Sequence, residues 1–172
     1  ARIVVSACNP HDTFLKWLRN PPPQAQTMVR RWQGIPHDDG YESKIDAVMS
    51  AVPHLRPAVA AGLDGDMAAT YAIAPSIADM HRGHQLMATG EVLQQPGLIA
   101  NVPTVIDNTL APKGQHILSL EALYTPYGLP GGWASSTEPA RWLELFGGLA
   151  EPGFAESLIE WRAMTPERYE RE

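Results

Sequence analysis

One cysteine, Cys8, stands among 172 residues. No internal disulfide framework can therefore staple the chain, and no zinc site can be built on several thiolates. Positive charge is also scarce. Thirteen Lys and Arg face 19 Asp and Glu, for a formal net charge of -6, and no basic stripe is visible. That balance excludes a nucleic-acid footprint. No apolar run approaches the roughly 20 residues needed to cross a bilayer, which excludes a spanning helix and leaves association with a membrane surface open. Phosphate-cradling loops are missing as well: no Gly-x-Gly-x-x-Gly follows a strand and no Gly-x-x-x-x-Gly-Lys-Ser/Thr occurs, so this stretch is not expected to bind a dinucleotide alone. No Gly-x-Ser-x-Gly elbow is present for nucleophilic catalysis. The opening Ala1-Arg-Ile-Val-Val-Ser6 has neither an initiator Met nor a signal-peptide pattern, so it reads as the middle of something, in a reducing, cytoplasmic setting.

What is present suits one domain with a sizeable core, since 44% of the residues are hydrophobic. Ile3 to Ser6 suits a buried strand feeding a helix, with Asn9 as N-cap and Pro10 at the first helical position. That helix is expected to end near Asn20, before Pro21-Pro22-Pro23. Ala25, Met28, Val29 and Trp32 mark a second helix, capped by Gly34. Tyr41 to Met49 alternates as an extended strand, with Tyr41, Ile45, Ala47 and Met49 opposite Glu42, Lys44 and Asp46. Pro53 to Asp66 is expected to be largely irregular. Ser76 and Asp79 resemble a capping box opening a helix that stops at Gly90.

Leu98 to Asp107 and Gln115 to Tyr124 read as an antiparallel strand pair joined by a type II turn at Pro112-Lys113-Gly114, with Pro103 placing the first strand at an edge or interrupting it. His116, Leu118, Leu120 and Ala122 share one face of the second strand. Trp142, Leu143, Phe146 and Leu149 mark a further amphipathic helix, and Pro152 to Arg162 one more short helix. The expected fold is α+β, with a mixed or largely antiparallel sheet and helices packed on one face.

Clusters that carry chemistry elsewhere have simpler readings here. His81 and His84, near Asp79, share a helix at a spacing that allows two metal ligands, yet His84 also falls on the stripe of Ile77, Met80 and Met87, as a half-buried core histidine would. His37-Asp38-Asp39 and Asp64-Gly65-Asp66 suit solvated turns, Gly128-Leu-Pro-Gly-Gly132 suits a turn, and Cys8 suits packing. Tyr124, Tyr127 and Trp133 stand out, because aromatic side chains entering a glycine-rich loop from a strand end often line an apolar cleft.

Several segments, taken in order, resemble the phytoene-desaturase-like branch of FAD-dependent oxidoreductases. Ala1-Arg-Ile-Val-Val-Ser6 with Asn9-Pro10 and Thr13 resembles the exit from the flavin domain, although Ala7-Cys8-Asn9 stands where that family more often has Asn-Ala-Asp. Tyr41 to Met49 resembles the first strand of the substrate domain. Ile73-Ala-Pro-Ser76, Gly90, Pro96, Pro103-Thr-Val-Ile-Asp107 and Leu110-Ala-Pro-Lys-Gly114-Gln-His116 resemble the family's central stretch, while Tyr124-Thr-Pro-Tyr127, Glu151-Pro-Gly-Phe154 and Met164-Thr-Pro166 resemble the segments on its C-terminal side.

The resemblance implies that residues 1–172 are the substrate-binding domain of a larger FAD-dependent dehydrogenase or desaturase, with both flavin-binding ends absent. FAD would sit in the full-length protein, with none on this fragment, and the fragment alone would be inactive. The implied partners are an apolar small-molecule substrate and the remaining flavin-binding portion. Cleft-lining positions expected on this basis are Tyr124, Tyr127 and His116, then Met49 and Trp133, with no residue required as an acid or base. A rival expectation is a non-catalytic module that docks on a partner or, peripherally, on a membrane surface.

Overall fold

A computed structural model describes residues 3–35, 42–63 and 69–172. Where one domain is expected, the chain divides into two compact units, Ala1–Asp38 and Asp39–Glu172. Ala1 and Arg2, the clusters His37-Asp38-Asp39 and Asp64-Gly65-Asp66, and Tyr41 at the start of the expected first strand lie outside the described residues.

In the first unit the expected strand is absent. Ile3, Val4 and Val5 are 82%, 83% and 89% exposed, because β-propensity forms a strand only where a second strand supplies partners, and the described residues of this unit contain none. The cap read from the sequence is present: Asn9 Oδ1 accepts the His11 N–H at 2.8 Å. The turn it opens widens into a six-residue π-helix, Asp12–Trp17, that leaves helical geometry at Leu18, short of Asn20. Lys16 Nζ meets Asp12 Oδ1 at 2.6 Å along it. Helix α1, Gln26–Gln33, ends as expected at Gly34, whose N–H reaches the carbonyls of Arg30 and Arg31. Trp32 stacks edge-on to His11 with ring centroids 5.4 Å apart, and the His11 Nε2 bonds the Ile35 carbonyl at 2.8 Å.

The second unit is an α+β fold on one antiparallel sheet. Its strands are β1 (Glu42–Met49), β2 (Thr70–Ile73), β3 (Leu98–Asn101), β4 (His116–Leu123) and β5 (Leu158–Met164), in the order β2-β3-β4-β1-β5. The alternation of β1 holds: Ser43, Ile45, Ala47 and Met49 are buried, and Lys44, Asp46 and Val48 are half-buried on the opposite face. Register aligns the buried set across the sheet, with Ser43 opposite Ala122, Ile45 opposite Leu120, Ala47 opposite Leu118 and Met49 opposite His116. Leu98 and Ala100 continue it through β3.

Among its described residues are the α-helices α2 (Arg56–Ala60), α3 (Ile77–Thr89), α4 (Glu138–Gly147), α5 (Phe154–Ser157) and α6 (Pro166–Arg171). Helix α4 closes the core by burying Trp142, Leu143 and Phe146 against the sheet. Phe146 meets Phe154 edge-on at 5.3 Å, and Trp142 meets Trp133 at 6.0 Å.

The caps of α3 are those read from the sequence. Ser76 Oγ accepts the Asp79 N–H at 3.1 Å and donates to Asp79 Oδ2 at 2.7 Å, while Gly90 closes the helix at φ +78°. The expected turn before β4 is present too, with the Gln115 N–H on the Pro112 carbonyl at 2.9 Å and Gly114 at φ +80°.

Four readings need correction. The stretch from Pro53 holds α2, because the Leu55-Arg56-Pro57 sequence places proline within the first helical turn, where its missing N–H costs nothing. β3 stops at Asn101, and Pro103–Val105 forms a tight 3-10 turn, as expected if Pro103 interrupts the ladder; β3 nevertheless lies between β2 and β4 and is not an edge. Only Phe154–Ser157 of the expected helix from Pro152 to Arg162 is helical, and from Leu158 the chain pairs with β1 as a strand. His84 is exposed instead of half-buried, since the turn of α3 that packs inward centres on Gly83.

Candidate functional site

Two surfaces of the sheet unit are candidates, and the β-alternation creates the first. The face turned away from α4 carries Lys44, Asp46 and Val48 from β1, Ile117, Ser119 and Glu121 from β4, and Ile99 and Asn101 from β3, all half-buried. A polar row crosses its centre. Lys44 Nζ sits 2.9 Å from Asp46 Oδ1, Arg162 Nη2 sits 3.7 Å from Asp46 Oδ2, and Thr70 Oγ1 donates to Asn101 Oδ1 at 2.8 Å.

Local chemistry shifts the groups around that row. The hydrogen bond to Asp46 holds the Lys44 ammonium above its ordinary pKa, against a smaller opposing effect of burial. Burial, followed by the negative charge of Glu121, pushes the Glu42 carboxyl up. Burial also raises the Tyr169 phenol of α6, reinforced by the carboxylates of Asp46, Glu42 and Glu121 and opposed by Lys44. The upward shifts of Lys44 and Tyr169 favour the protonated forms that these groups hold in water at neutral pH.

The second surface is the loop from Tyr124 to Trp133. Tyr124 holds a left-handed backbone at φ 62°, uncommon for a residue with a side chain, and its ring lies against α3 at Gly83. Thr125 is fully buried beneath it, accepting the Ser43 hydroxyl at 3.0 Å. Trp133 is buried and its indole N–H is shared between the carbonyls of Pro126 and Tyr127, each at 3.0 Å, which pins the loop. Tyr127 remains exposed and donates its hydroxyl to Glu170 of α6, an acceptor that raises the phenol's pKa.

The five expected cleft residues thus fall in three places. Tyr127 and Trp133 are joined through the loop backbone, and Met49 and His116 are cross-strand neighbours on the core face. Met49 is 0% exposed, whereas His116 is half-buried with Nδ1 3.3 Å from Thr104 Oγ1. Tyr124 stands apart, against α3. Sequence reasoning missed the polar row, although the run Glu42, Lys44, Asp46 signalled half of it; the Arg162 half was hidden because β5 read as helix.

Sequence comparison adds relatives to this geometry. The chain is similar to oxidoreductase-domain proteins. It is 28% identical over 184 aligned residues, 99% of its length, to the pyridine nucleotide-disulfide oxidoreductase domain-containing protein 2 of Rattus norvegicus. It is 28% identical over 186 to the protein of that name from Mus musculus. It spans 30% of the length of each. No family model matches it.

The loop Gly128–Gly132 does not have the form that holds the phosphates of a dinucleotide. It opens onto Trp133–Ser135, a single 3-10 turn, and the Gly132 N–H is already bonded to the Leu129 carbonyl at 2.8 Å, so this loop does not lead a helix N-terminus onto a pyrophosphate. Nor do three His, Cys, Asp or Glu side chains among the described residues converge as metal ligands; His81 and His84 are both exposed. No helix among the described residues is long and apolar enough to cross a membrane.

Proposed function

We propose that the chain is the substrate-side portion of a FAD-dependent dehydrogenase or desaturase of the phytoene-desaturase-like kind, acting on an apolar substrate. The observation that carries this reading is the similarity of 99% of the chain to under a third of each oxidoreductase-domain relative. An α+β unit with no dinucleotide loop of its own supports it, because such a unit has shape to offer and no redox chemistry. The flavin, held by the remaining flavin-binding portion of a longer protein, accepts the hydride; this chain excludes water and orients the substrate. Tyr124, Tyr127 and His116, which keep partial exposure, face the substrate, with Met49 and Trp133 supporting them from the core.

The test compares the longer protein with the 172-residue chain. Flavin absorbance is expected on the first alone, with bleaching by an apolar substrate under anaerobic conditions. Tyr127→Ala in the longer protein is expected to raise KM roughly tenfold, about 1.4 kcal/mol of lost binding, with flavin content unchanged. Stoichiometric flavin on the 172-residue chain would overturn the reading.

A second reading, docking of the first unit on a membrane surface or protein partner, draws on the exposed Ile3, Val4, Val5 and Trp17. Co-sedimentation with neutral phosphatidylcholine vesicles at low salt tests its membrane form, and a chain that stays in the supernatant counts against it.

A further inference from the structure

The sheet ends at β5, which pairs with β1 on one side and with no other strand among the described residues. Edges of this kind are usually kept short or broken by proline or lysine, because their unpaired amides and carbonyls template a further strand. β5 has seven residues, Leu158-Ile-Glu-Trp-Arg-Ala-Met164, with neither proline nor lysine. A bulge opposite Val48 and Met49 bends its start, and Arg168 Nη1 covers the Ala163 carbonyl at 3.2 Å near its end. Its centre carries two charges, Glu160 and Arg162, but no bulge, proline or covering side chain. There Trp161 is 40% exposed, although it sits on a strand with a core behind it, and Ile159 is exposed beside it. Trp161 and Ala163 also floor an open groove of about 500 Å³ that runs past Pro139 to Arg171 of α6.

The order of side chains along this edge is apolar, apolar, acid, aromatic, base, apolar, apolar, so reversing it exchanges only the acid and the base about Trp161. An antiparallel partner of identical sequence centred on Trp161 sets Trp161 against Trp161, Ile159 against Ala163, and each Glu160 against the other copy's Arg162. In-register parallel pairing would instead stack like charges, which opposes association. The Arg162 side chain is 59% exposed and only loosely engaged by Asp46 at 3.7 Å, so its guanidinium is available to a second carboxylate. We propose that β5 is a self-recognition edge through which two copies of this protein join their sheets antiparallel about Trp161. The inference is independent of the function proposed above.

Sedimentation velocity on the full chain tests it. The wild type is expected to sediment as a dimer. Glu160→Arg and Arg162→Glu, each of which sets two like-charged pairs across the two-fold axis, are expected to weaken dimerisation at least tenfold. Trp161→Lys breaks the centre of the pairing and leaves Asp46 and its neighbours untouched. Mixing E160R with R162E recreates opposite charges at both pairs, so the two variants are expected to form a heterodimer that neither forms with itself. A monomeric wild type, as results if another strand covers this edge, overturns the proposal. So do dimers that survive all three substitutions, or a mixture of thermally stable E160R and R162E that stays monomeric.

Discussion

The stretch 3–35 and the sheet unit treat similar side chains in opposite ways. No described residue of the first is buried, although Ile3, Val4, Val5, Phe14 and Trp17 lie in it, while Ile45, Leu118, Trp142 and Phe146 of the second are fully buried. Apolar sequence is common to both; what differs is an opposing face. The sheet unit sets an amphipathic strand face against an amphipathic helix, so each hides the other's surface from water. The described residues of the first unit set an eight-residue helix, a short 3-10 turn and a π-turn together, too little to cover any of them.

The contrast can be broken most directly at its aromatics. Phe146→Ala removes a fully buried ring packed on Phe154 and is expected to cost about 3–5 kcal/mol. Trp17→Ala removes a larger ring that is mostly in water and is expected to change stability by no more than about 0.5 kcal/mol. Urea unfolding of both variants checks this, and equal losses would mean that the first unit has a core not visible in its burial.

A smaller effect sharpens how the sheet unit holds α3. Gly90→Ala forces a side chain into the left-handed region and sets its Cβ 2.8 Å from the Gly128 carbonyl oxygen. The conformational cost alone is about 1–2 kcal/mol, and the displaced carbonyl adds to it. Thermal melting is expected to fall accordingly, with amide exchange in α3 accelerated more than in β1.

The smallest effect concerns the open sheet face. Burial and Glu121 hold the Glu42 carboxyl above its ordinary pKa, so the folded state binds that proton more tightly than the unfolded chain does. Ionised Glu42 therefore opposes folding at neutral pH, and the penalty fades as pH falls through the raised pKa. Glu42→Gln is expected to stabilise by about 0.3 kcal/mol at neutral pH, a cross-strand like-charge effect discounted for solvent screening. The gain is expected to vanish in acid, as parallel urea titrations at the two pH values would register.

Much of this architecture was legible before any coordinates. The alternation of β1, the cap pair Ser76 and Asp79, the stop at Gly90 and the turn at Gly114 depend on hydrogen bonds and dihedrals spanning a few residues, which local sequence specifies. β5 was not legible. Phe154, Leu158 and Trp161 fall at helical spacing, and only the ladder to β1 draws Leu158–Met164 into extended form. β2, four residues long, is too short to show a period. The candidate site suffered accordingly: the loop aromatics were visible as a group, but the sharing of the Trp133 N–H and the Arg162 end of the polar row depend on which strands become neighbours.

By itself, then, the sequence determined the strands with clean alternation, the helix ends and the one-sided core, because those arise from contacts between near neighbours and from the period of the apolar residues. Tertiary structure decided that β5 joins the sheet, that β3 is internal, and that Ile3 to Val5 stay in water. Ser50 meets Ser157 across 107 positions of chain. A bond of that span is worth making only after the rest of the sheet has brought its ends together, and no short window of sequence carries that information.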